Sequence, residues 1–397
     1  MSVGVIKRSF VIFGSALGIA FSVQAQTQTK DPVFIGIDEA YSIKTNTAPR
    51  AIERGAQAAI AEINARGGVL GGRPLELLTT DNQGLPARGR DNLIDLAAKP
   101  GLIAVLTGKF SPVTVEMIPE ANRQKIAVIS VWGSADPITE GAVSPSFAFR
   151  LSLKDSWGVE ALMLRGKAVH RATRQCAILP NTAWGRSADA VLTAKARGHG
   201  ISVVSTHWYN WGEVQFQDTL AACANASAQS ILLVANEREA ASLISQLADL
   251  PQNARLPVVA HWGITGGVMH QLAGPALEKV DMQVIQTFTF IGNTRPAAGR
   301  LAQWILRDAQ LTAVEQIPSP VGSAHAYDMT HLLALAVNKA GSTRGDDIRK
   351  ALESLPPFEG AVRRYAPAFT ATSRDALTAR EVLFVRMQRS GELTPVR

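Results

Sequence analysis

Short all-apolar runs alternate along this chain with longer stretches of helical spacing. Leu102-Ile103-Ala104-Val105-Leu106 and Ile126-Ala127-Val128-Ile129 are continuous apolar runs, the pattern of strands covered on both faces in a parallel sheet. Between them Val113, Val115, Met117, Ile118 and Ala121 recur at helical spacing. Ser111-Pro112 reads as an N-cap hydroxyl followed by proline at the first helical position. Lys109 to Thr139 is thus a loop–helix–strand–loop unit that follows a strand. In open α/β sheets, ligands sit beyond the carboxyl ends of strands. Ser111 falls at one such end and Gly133-Ser134 at the next. Two hydroxyls, free N–H groups and a helix N-terminus suit a carboxylate or another anion; the plain structural alternative is that Ser111 only caps its helix.

The same alternation surrounds this unit. Pro32 to Ile37 and Leu75 to Thr80 read as strands, Arg50 to Ala65 and Ala87 to Lys99 as helices. Phe147 to Leu151 reads as a strand leaving this first region. The alternation then restarts with a helix over Lys154–Gly166, strands at Gln175–Leu179, Ile201–Thr206, Ser230–Val234, Leu256–Ala260 and Val280–Thr287, and helices between them, including Gly266–Ala273. Helices over Tyr327–Ala340 and Gly345–Leu355 and a last strand over Glu381–Met387 follow. Strands alternating with helices predict an α/β fold of parallel sheets, and two such runs predict two lobes.

At 397 residues, 46% of them hydrophobic, the chain can fill about two or three ordinary cores. Its first 25 residues stand apart: Lys7 and Arg8 precede an apolar run from Phe10 to Val23, and Val23-Gln24-Ala25 is a small-x-small cleavage site. This is a signal-peptide pattern, so the protein is expected to be exported to the periplasm and to be soluble there. The formal charge of +7, less the two charges of Lys7 and Arg8, is modest, and no basic run interleaved with aromatics points to nucleic acid. Cys176 and Cys223 are the two cysteines. A bridge is open to them in an oxidising compartment, as are two buried free thiols; neither has metal-ligand spacing.

Catalytic and cofactor motifs do not emerge. Gly67-Gly68 and Gly71-Gly72 follow a helix and precede a strand, the wrong context for a nucleotide loop. The sequence contains no G-x-S-x-G, H-E-x-x-H or C-x-x-C. No cofactor, metal or enzymatic activity is expected. A transport-binding protein, an exported sensor domain that signals to a membrane receptor, and an exported hydrolase remain as classes, the last without a nucleophile–base pair.

Arg54 to Gly68, reading RGAQAAIAEINARGG, resembles the first-helix signature of the branched-chain amino-acid (Leu/Ile/Val)-binding family, the periplasmic binding proteins of ABC importers. Leu75–Asp81, the Ser111–Thr139 unit, Ala183-Trp184-Gly185 and Ala326-Tyr327-Asp328 fit later features of that family in order. The resemblance covers essentially the whole mature chain. It implies a type I periplasmic binding protein fold: two Rossmann-like lobes joined by three crossovers, closing on a small ligand, with residues 31–152 and 288–357 in lobe one and 153–287 and 358–397 in lobe two. It implies membrane permease subunits as partners and a monomer in solution. Matched residue by residue, Ser111 binds the ligand carboxylate; Trp132, Gly133 and Ser134 form the second ligand loop; Trp184 covers the ligand from lobe two; Glu237 lies near another lobe-two contact.

One departure bears on the ligand. Amino-acid binders of the family place an acid after the strand that here is Leu256–Ala260, where it pairs with the ligand's ammonium. This chain has His261-Trp262-Gly263. An unpaired buried ammonium is costly, so Glu237 or Asp38 would have to replace that acid. Trp132, Trp184 and Trp262 all fall on expected cleft loops and offer faces to a flat ligand. The expectation is a small carboxylate, amino-acid-like or an aromatic acid, with the flat body favoured.

Overall fold

The two apolar runs that anchor the sequence pattern become neighbouring strands. The computed structural model describes residues 1–5, 30–141 and 143–396; from residue 6 onward the expected leader lies outside them. In order come β1 (Val33–Glu39), α1 (Ala48–Ala65), β2 (Leu75–Asp81), α2 (Pro86–Ala97), β3 (Leu102–Thr107), α3 (Ser111–Gln124), β4 (Ala127–Ser130) and β5 (Ala148–Arg150). The strands form a parallel sheet in the order β2-β1-β3-β4-β5. Every residue of β3 and β4 is buried, as expected for inner strands covered by helices on both faces.

The chain then crosses to a second sheet. Its elements are α4 (Asp155–His170), β6 (Arg174–Pro180), α5 (Ala183–Lys195), β7 (Ser202–Tyr209), α6 (Gln217–Asn225), β8 (Ser230–Leu233), α7 (Glu237–Asp249), β9 (Val258–Ala260), α8 (Met269–Ala273), α9 (Ala276–Lys279) and β10 (Met282–Gln286). It returns with α10 (Pro296–Asp308), α11 (Pro320–Ala340), α12 (Gly345–Leu352) and the two-residue strands β11 (Phe358–Glu359) and β12 (Arg364–Tyr365). It crosses a third time into β13 (Leu383–Met387) and β14 (Leu393–Val396). The second sheet has the order β14-β13-β10-β9-β8-β6-β7, with β13 antiparallel to β10. Cys176 on β6 and Cys223 on α6 form a disulfide. Among the described residues no helix is long and apolar enough to cross a membrane.

Three local readings change. The stretch 358–376, expected in lobe two, packs on lobe one. There the Asp328 carboxylate accepts from the backbone N–H groups of Ala361 and Val362 and from the Tyr365 hydroxyl. Arg150 and the chain around Asp375 exchange backbone hydrogen bonds at the edge of the first sheet. The last strand is followed by a second, β14, that pairs with it. The helix expected over Gly266–Ala273 is split into a 3₁₀ turn, Trp262–Gly266, and the short α8; the Gly266-Gly267 pair at the break is poor helix material.

Candidate functional site

Because β3 and β4 run side by side in register, Thr107 against Ser130, the loops that leave them emerge together. Ser111 is the first residue of α3, and the extended Phe110 holds the N-cap position. The serine therefore does not cap its own helix. Its Oγ accepts from the backbone N–H of Ser134 (3.2 Å) and of Ala135 (3.3 Å), and its own proton remains to donate. The loop 131–135 is pinned at every residue. Val131 N–H donates to Thr107 O and Gly133 N–H to Gly108 O. Ser152 Oγ donates to Trp132 O, and Arg150 Nη1 to the carbonyls of Ser134 and Ala135. Gly133 is crowded: a Cβ would stand 3.0 Å from Ser130 Oγ and 3.2 Å from Ser111 Oγ.

Lobe two supplies an aromatic wall. Trp184 lies in the first turn of α5 and Trp262 follows β9; like Trp132 they are buried. The indole N–H of Trp262 donates to Trp132 O across 3.3 Å. The His261 ring sits between Trp184, edge-on at 4.9 Å, and Trp262 at 3.9 Å. His261 Nδ1 accepts from Gly263 N–H, which puts the ring proton on Nε2. Burial lowers the pKa of His261, with Asp155 opposing. Its Nε2 faces Asp155 Oδ1 at 3.5 Å.

Asp155 opens α4 directly after the first crossover. Its side chain is fully buried, and neither carboxylate oxygen has a hydrogen-bond partner among the described residues. The same holds for Trp132 Nε1, Trp184 Nε1, Ser156 Oγ, Thr182 Oγ1 and Asn236 Oδ1. Buried polar atoms are normally bonded; the orphans named here stand on loops and helix starts that follow β4, β5, β6 and β8. Nearby Asp136 is pushed up to about 6 by burial and then by the Asp155 charge.

The expected residues fall into two groups. Ser111, Trp132, Gly133, Ser134, Trp184 and Trp262 line the facing loops. Glu237, the first residue of α7, also lies between the lobes, but the protein engages both its oxygens: Lys109 Nζ donates to Oε2 (2.6 Å) and Thr45 Oγ1 to Oε1 (2.9 Å). Asp38 is held inside lobe one by Thr80, Asn82 and Asn92. Neither replaces the missing acid. Asp155, in the first turn of α4, is the buried acid beside His261, and no sequence motif singled it out. Lys109 and His261 were missed as partners; their signal was only position, each beside an expected loop.

A profile of periplasmic binding proteins matches residues 32–392. No curated protein matches the chain in sequence. Among solved structures, a periplasmic binding protein type 1 from Bordetella pertussis superposes with a TM-score of 0.80 at 19% identity, over 92% of this chain and 100% of that one. The isoleucine complex of the branched-chain amino-acid transporter binding protein LivJ from Streptococcus pneumoniae gives 0.75 at 19%, over 92% and 99%. A benzoate complex of an ABC transporter solute-binding protein from R. palustris gives 0.74 at 18%, over 92% and 95%. The chain belongs to the periplasmic binding protein family and has its two-lobed type I fold. This is a family of binding proteins.

Proposed function

We propose that this chain is the periplasmic solute-binding component of an ABC importer, acting as a monomer that captures a small acid between its lobes and presents it to membrane permease subunits. The observation that carries the reading is the set of orphaned buried groups: donors on Trp132 and Trp184, acceptors on Asp155 and Asn236, framed by indole rings. The Ser111 hydroxyl and the Trp132 and Trp184 N–H groups suit a carboxylate. Asp155 suits a hydrogen-bond donor elsewhere on the same molecule. The solute is therefore a hydroxy- or amino-substituted acid with a flat or compact apolar body. The isoleucine and benzoate complexes of the two relatives bracket that class.

A thermal-shift panel of hydroxybenzoates, unsubstituted benzoate, α-amino acids and their amides tests the proposal. A true ligand at about a hundred times its Kd adds about 2.7 kcal/mol. The proposal predicts stabilisation by substituted acids and none by the amides; a panel in which only uncharged compounds stabilise contradicts it.

A further inference from the structure

A buried charged pair spans the lobe interface. Lys109 follows β3 in lobe one and Glu237 opens α7 in lobe two; both side chains are almost wholly buried, with Nζ and Oε2 2.6 Å apart. Thr45, in the lobe-one loop after β1, donates to the other carboxylate oxygen. Lys109 Nζ also reaches Gly266 O at 3.3 Å. Backbone contacts run alongside: Thr47 N–H donates to Gly266 O and Val268 N–H to Thr45 O, pairing Asn46 with Gly267 as an isolated antiparallel bridge.

The local sequence fits this approach. A Cβ on Gly266 would stand 2.6 Å from Lys109 Cδ, and one on Gly267 would stand 2.5 Å from Glu237 Cδ and 2.4 Å from Thr45 O. Only glycines let the lobe-two turn slide under the lobe-one lysine and threonine. Glu39 fixes the base of the lysine by accepting its backbone N–H at 2.7 Å.

We propose that Lys109 and Glu237 form an interlobe latch: a positioning pair that is made when the lobes close and returned to water when they part, setting the open–closed balance on which solute affinity depends. The physics suits reversibility. Burying two charges carries a desolvation cost that largely offsets their attraction, so the pair makes a narrow net contribution, yet it leaves a severe penalty for closing with only one partner present. Closure is thereby tied to one register, Lys109 on Glu237. The inference rests on the two-lobed fold and on this pair, not on the identity of the solute.

Hydrogen exchange followed by mass spectrometry on the solute-free protein tests it, because the amides of Thr47 and Val268 report the interlobe bridge directly. The double variant Lys109→Met, Glu237→Gln leaves no orphaned charge and keeps the shapes. It should speed exchange at Thr47 and Val268 about tenfold or more, with β3 and β8 amides unchanged. The charge swap Lys109→Glu, Glu237→Lys should recover part of the protection. If the swap itself fails to fold, Thr45→Val, which removes one bond to Glu237, should give a smaller increase at the same two amides. Unchanged exchange at these amides in the double variant, or faster exchange spread evenly through both lobes as expected of a merely structural pair, overturns the latch.

Discussion

The indole N–H of Trp262 in lobe two points at the backbone carbonyl of Trp132 in lobe one, 3.3 Å away, and Ser152 Oγ meets the same oxygen at 2.9 Å. One carbonyl thus receives a donor from each side of the cleft. Trp262→Phe keeps a ring and loses only the N–H; Ser152 still serves the oxygen, so the expected loss is about 1 kcal/mol. Trp262→Ala opens a cavity and should cost about 3–5 kcal/mol. Equal losses for both variants in urea denaturation would show that the ring itself contributes nothing.

Ser111→Ala should destabilise the protein for a reason unrelated to capping. It removes the shared acceptor of the Ser134 and Ala135 amides, and leaving a buried donor unsatisfied costs about 1–3 kcal/mol. Solute affinity should fall together with stability. Chemical denaturation beside calorimetry checks this; unchanged stability would mean that the loop 131–135 is held without the serine.

Glu39 links stability to pH. Burial pushes its carboxyl from 4.5 up to about 7, so it binds its proton more tightly folded than unfolded. Its contribution is fully present below about 4.5 and is lost as pH rises through about 7. Asp38, pushed up to about 6, acts in the same direction. His325, lowered to about 4 by burial, acts oppositely: its contribution is present above about 6.5 and is lost toward 4. Glu39→Gln should therefore flatten the decline between pH 4.5 and 7 by on the order of 3 kcal/mol, read from denaturation midpoints across pH. An unchanged decline would exclude Glu39 as its source.

The Cys176–Cys223 disulfide closes a loop across a separation of 47 residues. Replacing both cysteines with serine should cost lobe two about 2–4 kcal/mol, seen as a lower melting temperature that reductant no longer changes. A melting temperature equal to that of the oxidised parent would remove the bridge from the account of lobe-two stability.

What was legible in the sequence was what depends on neighbours in the chain. Leu102–Leu106 and Ile126–Ile129 announce inner strands because an unbroken apolar run has no polar face to expose. Trp132, Gly133 and Ser134 followed, since a strand end fixes its loop. Ser111 reads from sequence as a ligand group or as the cap of its own helix; its bonds to the Ser134 and Ala135 amides were not legible, because they come from a loop 23 positions later. Asp155 was opaque: an acid in a helix's first turn is explained by the helix dipole alone, and only the fold brings His261 to within 3.5 Å. Lys109 and Glu237 lie 128 positions apart, and no local pattern pairs them. Residues 358–376 follow a lobe-one helix and precede a lobe-two strand; only the bonds of Asp328 and Arg150 decide their side.

On the proposed function, the cleft reads a carboxylate at one end of the solute and a hydrogen-bond donor at the other. Isothermal titration calorimetry with 4-hydroxybenzoate, benzoate, leucine and the corresponding amides, run on the parent protein and on Asp155→Asn, tests it most directly. The expected result is one-to-one binding of at least one hydroxy- or amino-bearing acid and no measurable binding of its amide. Asp155→Asn should weaken that acid by roughly tenfold to a hundredfold, about 1.5–3 kcal/mol for a hydrogen bond to a charged group. Tight binding of an amide, or an acid whose affinity Asp155→Asn leaves untouched, would contradict it.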